Sequence, residues 1–209
     1  MKKKQNSKRP AGKNPRVVPD NRRRALLDAA AKYFGRRGFE GTSIRDIAAE
    51  VGMLPGSMYY HFTSKEALLL AVHQEGVQHI KDEVERAVAR APENPWDRLE
   101  EACVAHLDAL LGGNDYAQVV TPQFTRALPP DLSKQLIEQR DSYEEVFASL
   151  VDAVSLPRGV SARYLRLTLL GSLNWSLTWY HKGGDSPAQI ARKMVRLFRM
   201  RLDEGPSGA

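Results

Sequence analysis

A single cysteine, Cys103, is present in 209 residues. It excludes an internal disulfide and any cysteine-rich zinc site, and it fits a reducing cytoplasm. Nothing basic adjoins it in sequence, so it reads as a small core residue rather than a reactive thiol. No run approaches the roughly 20 apolar residues that span a bilayer, so no membrane partner is expected. Alternating apolar and polar residues never continue long enough to make a strand, and no internal repeat occurs. His-x-x-x-His and Cys-x-x-Cys spacings are missing, the carboxylates are scattered, and no glycine loop suited to phosphate is found. Nothing marks a Ser–His–acid triad either. These absences argue against an enzyme, a metal and a cofactor.

What is present is unevenly charged. Ten of the 31 Lys/Arg and one of the 25 Asp/Glu fall in residues 1–24, so this stretch has net charge +9 and the remainder −3. Residues 1–19 are polar, proline-bearing and nearly free of apolar side chains, and are expected to be a disordered basic tail. The lysines are followed by Pro10-Ala11-Gly12-Lys13 rather than an apolar stretch, which argues against a signal peptide. Two readings of the tail stay open: an arm that contacts DNA, or a solubilising appendage.

The most informative segment is Thr42 to Leu68. Ser43 with Asp46 is a capping box, so a helix starts near Ile44. Ile44, Ile47, Ala48 and Val51 share one face. Gly52 can take a positive φ and end that helix. Pro55 suits the first position of the next one. Met58 and Phe62 can then face inward, leaving Gly56, Ser57, Tyr59, Tyr60 and His61 outward or flanking. Thr63 and Glu66 resemble a second capping box. Two helices joined by a short glycine turn make a helix-turn-helix, whose second helix reads the major groove. A plain helical hairpin would not explain adjacent tyrosines and a histidine on a short, nearly uncharged helix.

The rest of the chain is predicted all-α, with about nine helices in total. Leu26, Ala29, Ala30, Tyr33 and Phe34 mark the first. A long helix is expected from Ser64 to about Ala91, followed by a stripe through Trp96, Leu99, Cys103, Leu107 and Leu110. A helix over Tyr116 to Ala127 with a kink at Pro122 comes next, then one from Leu132 to Val154. Val160 to His181 is the most apolar segment, and a final helix carries Ile190, Met194, Leu197 and Phe198. The division expected is a tail (1–19), a helix-turn-helix domain (20–68) and a ligand-binding and dimerisation domain (69–209).

The Val160–His181 segment is apolar nearly all round, so it should be buried on more than one side. With Leu165, Leu169, Leu173 and the small residues Gly171 and Ser172 it can serve both core and dimer interface, and the last helix, through Ile190, Met194 and Leu197, would complete a dimer seam. Asn174 is a polar group in that setting and needs a partner. With Trp175 and Trp179 it reads either as a pocket wall or as core with a helix–helix hydrogen bond. Aromatics at helical spacing favour the second. His106, on the apolar stripe with Cys103, and Phe124 are further pocket candidates.

This layout resembles the TetR family of transcriptional regulators. The matching residues are Ile47-Ala48, Val51-Gly52, Gly56-Ser57-Met58-Tyr59, His61-Phe62 and Ser64-Lys65-Glu66-Ala67-Leu68, preceded by Phe34…Gly38-Phe39…Thr42. One departure is Met53-Leu54, where the family often has Val-Ser. The resemblance implies an Ω-shaped homodimer that binds a palindromic double-stranded DNA operator, usually represses, and lets go when a small molecule fills the body. By their chemistry, Thr42 and Ser43 suit a phosphate, and Arg45 a phosphate or a guanine edge. Pro55 and Gly56 let the reader start close to DNA. Ser57 and Tyr60 suit base edges, and Tyr59, His61 and Lys65 suit phosphates. The body's GSLNWSLTWYHKGG string, Gly171 to Gly184, together with Met53-Leu54-Pro55-Gly56-Ser57 and Tyr59-Tyr60-His61-Phe62, resembles a TetR subgroup associated with fatty-acid, steroid and aromatic-acid catabolism, whose members often sense acyl-CoA thioesters. Arg126, Arg158, Arg163, Arg166 and Lys182 are available for such an effector's phosphates. An effector-free DNA-binding dimer and an activator remain open. A cavity of about 300–1,000 Å³ in the body would favour a sensor.

Overall fold

The computed structural model describes residues 19–203, and every regular element in that span is helical. Ten α-helices are present among the described residues: α1 (Pro19–Arg37), α2 (Ile44–Glu50), α3 (Pro55–Met58), α4 (Lys65–Arg90), α5 (Pro95–Leu111), α6 (Asp115–Val119), α7 (Pro122–Arg126), α8 (Pro130–Asp152), α9 (Ala162–Trp175) and α10 (Pro187–Asp203). The expectation for residues 1–19 falls outside the described residues, except that Pro19 opens α1. None of the helices is long and apolar enough to cross a membrane.

Six of the ten helices open on proline. The missing N–H falls among donors that a first turn leaves unpaired, and the fixed φ is already helical. Pro95, Pro122 and Pro130 therefore start helices as well as separating them. The kinked helix expected over Tyr116–Ala127 is two five-residue helices, α6 and α7. Thr121 begins the second by accepting the Phe124 N–H at 3.1 Å.

The apolar segment expected as one helix to His181 also divides. α9 stops at Trp175 and continues only as a 3₁₀ turn, Ser176–Thr178. Its hydroxyls take carbonyls of the preceding turn: Ser172 donates to Thr168 O at 2.8 Å and Thr178 to Trp175 O at 2.8 Å. Such back-bonding competes with the helical ladder.

Two apolar clusters hold the chain. One joins Leu26, Ala30 and Phe34 of α1 to Ile47, Met58, Phe62, Leu68, Leu69 and Val72. It does not stop at residue 68, because Tyr116 and Val119 of α6 and Leu132 and Leu136 of α8 belong to it. The other gathers α4, α5, α8, α9 and α10 around Leu99, Leu107, Phe147, Leu169 and Val195. The 26-residue α4 serves both, with Leu68, Leu69 and Val72 near one end and Val77, Ile80 and Val84 further along. α6 wedges between α1 and α4. A Cβ at Gly76 of α4 would sit 2.8 Å from Val120 Cγ1 and 3.2 Å from Tyr116 O, so this approach needs glycine. Tyr116 Oη donates to Asp28 Oδ1 at 2.7 Å, and Arg24 pairs with Glu75.

Of the two roles expected for Leu165, Leu169 and Leu173, the structure gives them the core one: all three are buried inside the protomer. So is Ile190, while Met194 is half-buried. α9 has a second apolar side that its own chain leaves uncovered: Tyr164, Leu167 and Trp175 are exposed, with Leu197 and Met200 of α10. A helix apolar all round gives no indication of which side its own fold will cover.

Candidate nucleic-acid interface and effector cavity

The head is built from local signals that the structure realises closely. Ser43 caps α2: its hydroxyl accepts the Asp46 N–H at 3.2 Å and donates to Asp46 Oδ2 at 2.7 Å. These bonds, with the backbone bond from Ser43, hold the Asp46 carboxyl below its usual pKa. Gly52 turns the chain at φ 64°. Pro55 is the first residue of α3, and fully buried Met58 and largely buried Phe62 pin it to the core. Gly56, Ser57, Tyr59 and Tyr60 are exposed, and Tyr60 most of all at 85%. Half-buried His61 stands edge-on to Tyr60, with ring centroids 5.2 Å apart. Arg45 is exposed beside the α2 cap. The cap of α4 is Ser64, which accepts from Ala67 N–H, rather than Thr63.

Two of the residues assigned to phosphate contact are engaged inside the head. Thr42 is 2% exposed, and its hydroxyl lies 2.8 Å from Gly38 O and 3.2 Å from Tyr33 O. Lys65 Nζ donates to Phe39 O at 2.9 Å and Thr42 O at 3.2 Å, and stands 4.1 Å from the Phe39 ring centroid. Both side chains tie down the turn between α1 and α2, and their partners lie too far off in sequence for local reasoning to reach. Lys65→Met is expected to cost about 1–2 kcal/mol of stability in denaturant unfolding, because two carbonyls lose a charged donor. A phosphate-contacting lysine would behave differently. Its loss would leave stability intact and reduce the salt slope of DNA binding by about one.

In the body, His106 is buried between two helices. Its Nδ1 lies 2.6 Å from Tyr143 Oη and its Nε2 3.2 Å from Asn174 Oδ1. An amide oxygen can only accept, so Nε2 carries the proton and the tyrosine hydroxyl donates to Nδ1. Burial lowers the His106 pKa to about 4 despite the Asn174 bond, and raises that of Tyr143. The cluster is therefore neutral at pH 7. It lines a cavity together with Val77, Ile80, Val120, Pro122, Arg140, Glu144 and Leu170, with only about 40 Å³ of free space. That is room for a few water molecules. Sequence reasoning missed Tyr143 and Arg140 as lining residues. The available signal was a tyrosine on an apolar stripe, whose hydroxyl needs a partner once buried.

Only His106 and Asn174 of the expected pocket set reach this cavity. Trp175 is 62% exposed: it follows Asn174 by one residue, about 100° around the helix, so the two cannot face the same way. Trp179 lies beyond the 3₁₀ turn and edges an open surface groove with Ile190, Met194 and Leu197. Phe124 is half-buried against the head's cluster, and Arg126 is exposed.

Comparison with known proteins agrees with this arrangement. The family described as "Bacterial regulatory proteins, tetR family" matches residues 26–72, and "Tetracyclin repressor-like, C-terminal domain" matches residues 92–202. The HTH-type transcriptional repressor KstR2 of Mycobacterium tuberculosis is 30% identical over 180 residues, covering 81% of this chain and 86% of its own. The HTH-type transcriptional activator FasR of Mycolicibacterium smegmatis is 30% identical over 176 residues, covering 78% and 74%. The crystal structure of AibR in complex with isovaleryl coenzyme A and operator DNA superposes with a TM-score of 0.72 at 26% identity, over 84% of this chain and 97% of that one. Head, body and relatives thus agree: the chain belongs to the TetR family of DNA-binding transcriptional regulators and is not an enzyme.

Proposed function

We propose that the chain works as a homodimer that holds a palindromic operator, represses, and is released by an effector of the acyl-CoA thioester type. The observation that carries this reading is the polar His106–Tyr143–Asn174 node in a cavity wall that is otherwise aliphatic apart from the Arg140–Glu144 ion pair. Polar groups of that kind orient a ligand within an apolar pocket. Arg166, one and two helical turns ahead of Leu170 and Asn174 on α9, has a buried Nε without a hydrogen-bond partner among the described residues. An anionic effector would supply one. AibR was crystallised with an acyl-CoA and operator DNA, which supports the same class. The uncovered side of α9 and α10 supports the dimer.

The small cavity also favours a second reading, an effector-free DNA-binding dimer, because an acyl chain needs several hundred Å³. In the effector reading the walls must part. Val120 and Pro122 sit at the junction of α6 and α7, two five-residue helices, and are the walls best placed to move. KstR2 is a repressor and FasR an activator, so the sign of regulation follows the relative chosen.

Ser57 and Tyr60 are assigned to base edges, Arg45, Ser43, Tyr59 and His61 to the backbone, and Pro55 and Gly56 to close approach. The head is nearly neutral, with five basic and five acidic residues in 25–68, so nonspecific attraction falls to the basic stretch 1–24. Selection of bound duplexes from random DNA tests the reading, and a two-fold symmetric site is the expected result. Tyr60→Ala is expected to weaken that site by about 1–3 kcal/mol, read by fluorescence anisotropy. Unchanged affinity and preference would remove Tyr60 from the interface.

A further inference from the structure

Leu54 is 76% exposed and is the N-cap of α3, with φ −71°, ψ 141° and no side-chain cap bond. Neither property is favourable by itself. Serine, threonine, asparagine and aspartate are preferred at that position because their oxygens satisfy an open N–H of the first turn. The head uses this device on both sides: Ser43 caps α2 and Ser64 caps α4, each with its hydrogen bond formed. At the reader helix between them the cap is given up, and an aliphatic side chain is left in solvent.

The backbone shows where that side chain stands. Ser57 N–H donates to Leu54 O at 2.9 Å and Tyr60 N–H to Ser57 O at 3.3 Å. Leu54 thus opens the helix that carries Ser57, and Tyr60 follows it; all three side chains are exposed. Leu54 also borders a surface hollow with Asn21, Arg22 and Ser57, which places it at the edge where α1 meets the reader.

We infer that Leu54 is a sequence-determining contact that recognises the 5-methyl group of a thymine in the operator. This rests on the DNA-reading role of α3 and adds a residue to it. Among base edges in the major groove, the thymine methyl is the one apolar feature, and an aliphatic side chain gains from nothing else there.

The test uses the full chain and the duplex recovered by selection, with deoxyuridine placed at each thymine in turn. That change removes a methyl group and nothing else. The expected result is one thymine per half-site where deoxyuridine weakens wild-type binding about fourfold, the effect of uncovering one methyl-sized apolar group. Leu54→Ala should lose a similar factor on the thymine duplex and nothing further on the deoxyuridine duplex. Tyr60→Ala should keep the deoxyuridine effect at that position. Equal deoxyuridine losses in wild type and Leu54→Ala at every thymine would overturn the assignment, even with DNA binding intact. So would the absence of any sensitive thymine. Failure to recover any duplex, by contrast, would overturn the DNA-reading role of α3 and this contact with it. Leu54 is exposed, so circular dichroism should show unchanged helix content in the variant.

Discussion

Leu167→Arg is expected to convert the chain to a monomer and to lower operator affinity by about two to three orders of magnitude. Tyr164, Leu167, Gly171 and Trp175 recur at helical spacing on the outer side of α9, and Leu197 and Met200 extend the exposed apolar surface on α10. Among the described residues this side stays largely exposed, since the inner side of α9 is the one packed into the core through Leu165, Leu169 and Leu173. An exposed apolar surface of this kind marks an interface. Gly171 has open space where a Cβ would stand, which lets a second helix approach closely. An arginine at 167 would need to be desolvated without a counter-charge, and the pairing cannot support that. Two unlinked heads then lose the effective concentration that linkage gives, worth about 10²–10⁴ in affinity. Sedimentation equilibrium and anisotropy on the same sample check both halves. A dimer that persists in Leu167→Arg would place the interface elsewhere.

Acidification is the other large effect. His73 is 1% and His106 3% exposed, and burial lowers each pKa to about 4. At His73 the hydrogen bond to Gln139 Oε1, 2.8 Å from Nδ1, opposes the shift and Arg140 adds to it. An unfolded histidine titrates near 6.5. Between 6.5 and 4 the unfolded chain binds more protons than the folded one, so stability is complete above pH 6.5 and falls as pH is lowered. At pH 5 each histidine removes roughly 2 kcal/mol, and the pair roughly 4, a large part of a typical domain's stability of about 5–15 kcal/mol. The carboxyls of Asp46, Glu50 and Glu66 are held below their ordinary values, chiefly by hydrogen bonds to Ser43, to Lys32 and to the Glu66 backbone. Urea unfolding at pH 7.5, 6 and 5 should show the loss. His73→Gln and His106→Gln should each flatten the slope while lowering stability at pH 7.5. A slope that neither substitution changes would mean that other groups carry it.

What could be read from sequence depended on how far away each residue's partner lies. Ser43 with Asp46, Gly52 and Pro55 act within three or four residues, and the structure realises them. The internal bonds of Lys65 and Thr42, to Phe39 O and Gly38 O, are not legible locally because they depend on how α1, α2 and α4 pack. Trp175 and Asn174 were grouped as one wall because both lie in an apolar string, yet adjacent helical residues point in different directions. The apolar character of α9 was legible, but not which side its own core covers and which stays exposed. Tyr143 was visible only as part of a stripe, and its bond to His106 spans 37 residues.

The central claim is that an acyl-CoA entering the His106–Tyr143–Asn174 cavity releases the operator. Titrating coenzyme A thioesters of increasing acyl length into the wild-type protein bound to its selected, fluorescently labelled duplex tests it most directly. The account predicts that anisotropy falls with the acyl thioesters, that free coenzyme A has no effect, and that Asn174→Ala needs a higher thioester concentration for the same release. Operator binding that stays constant across the whole series, in protein shown to be dimeric and sequence-specific, would contradict it and leave a constitutive DNA-binding dimer with a closed core.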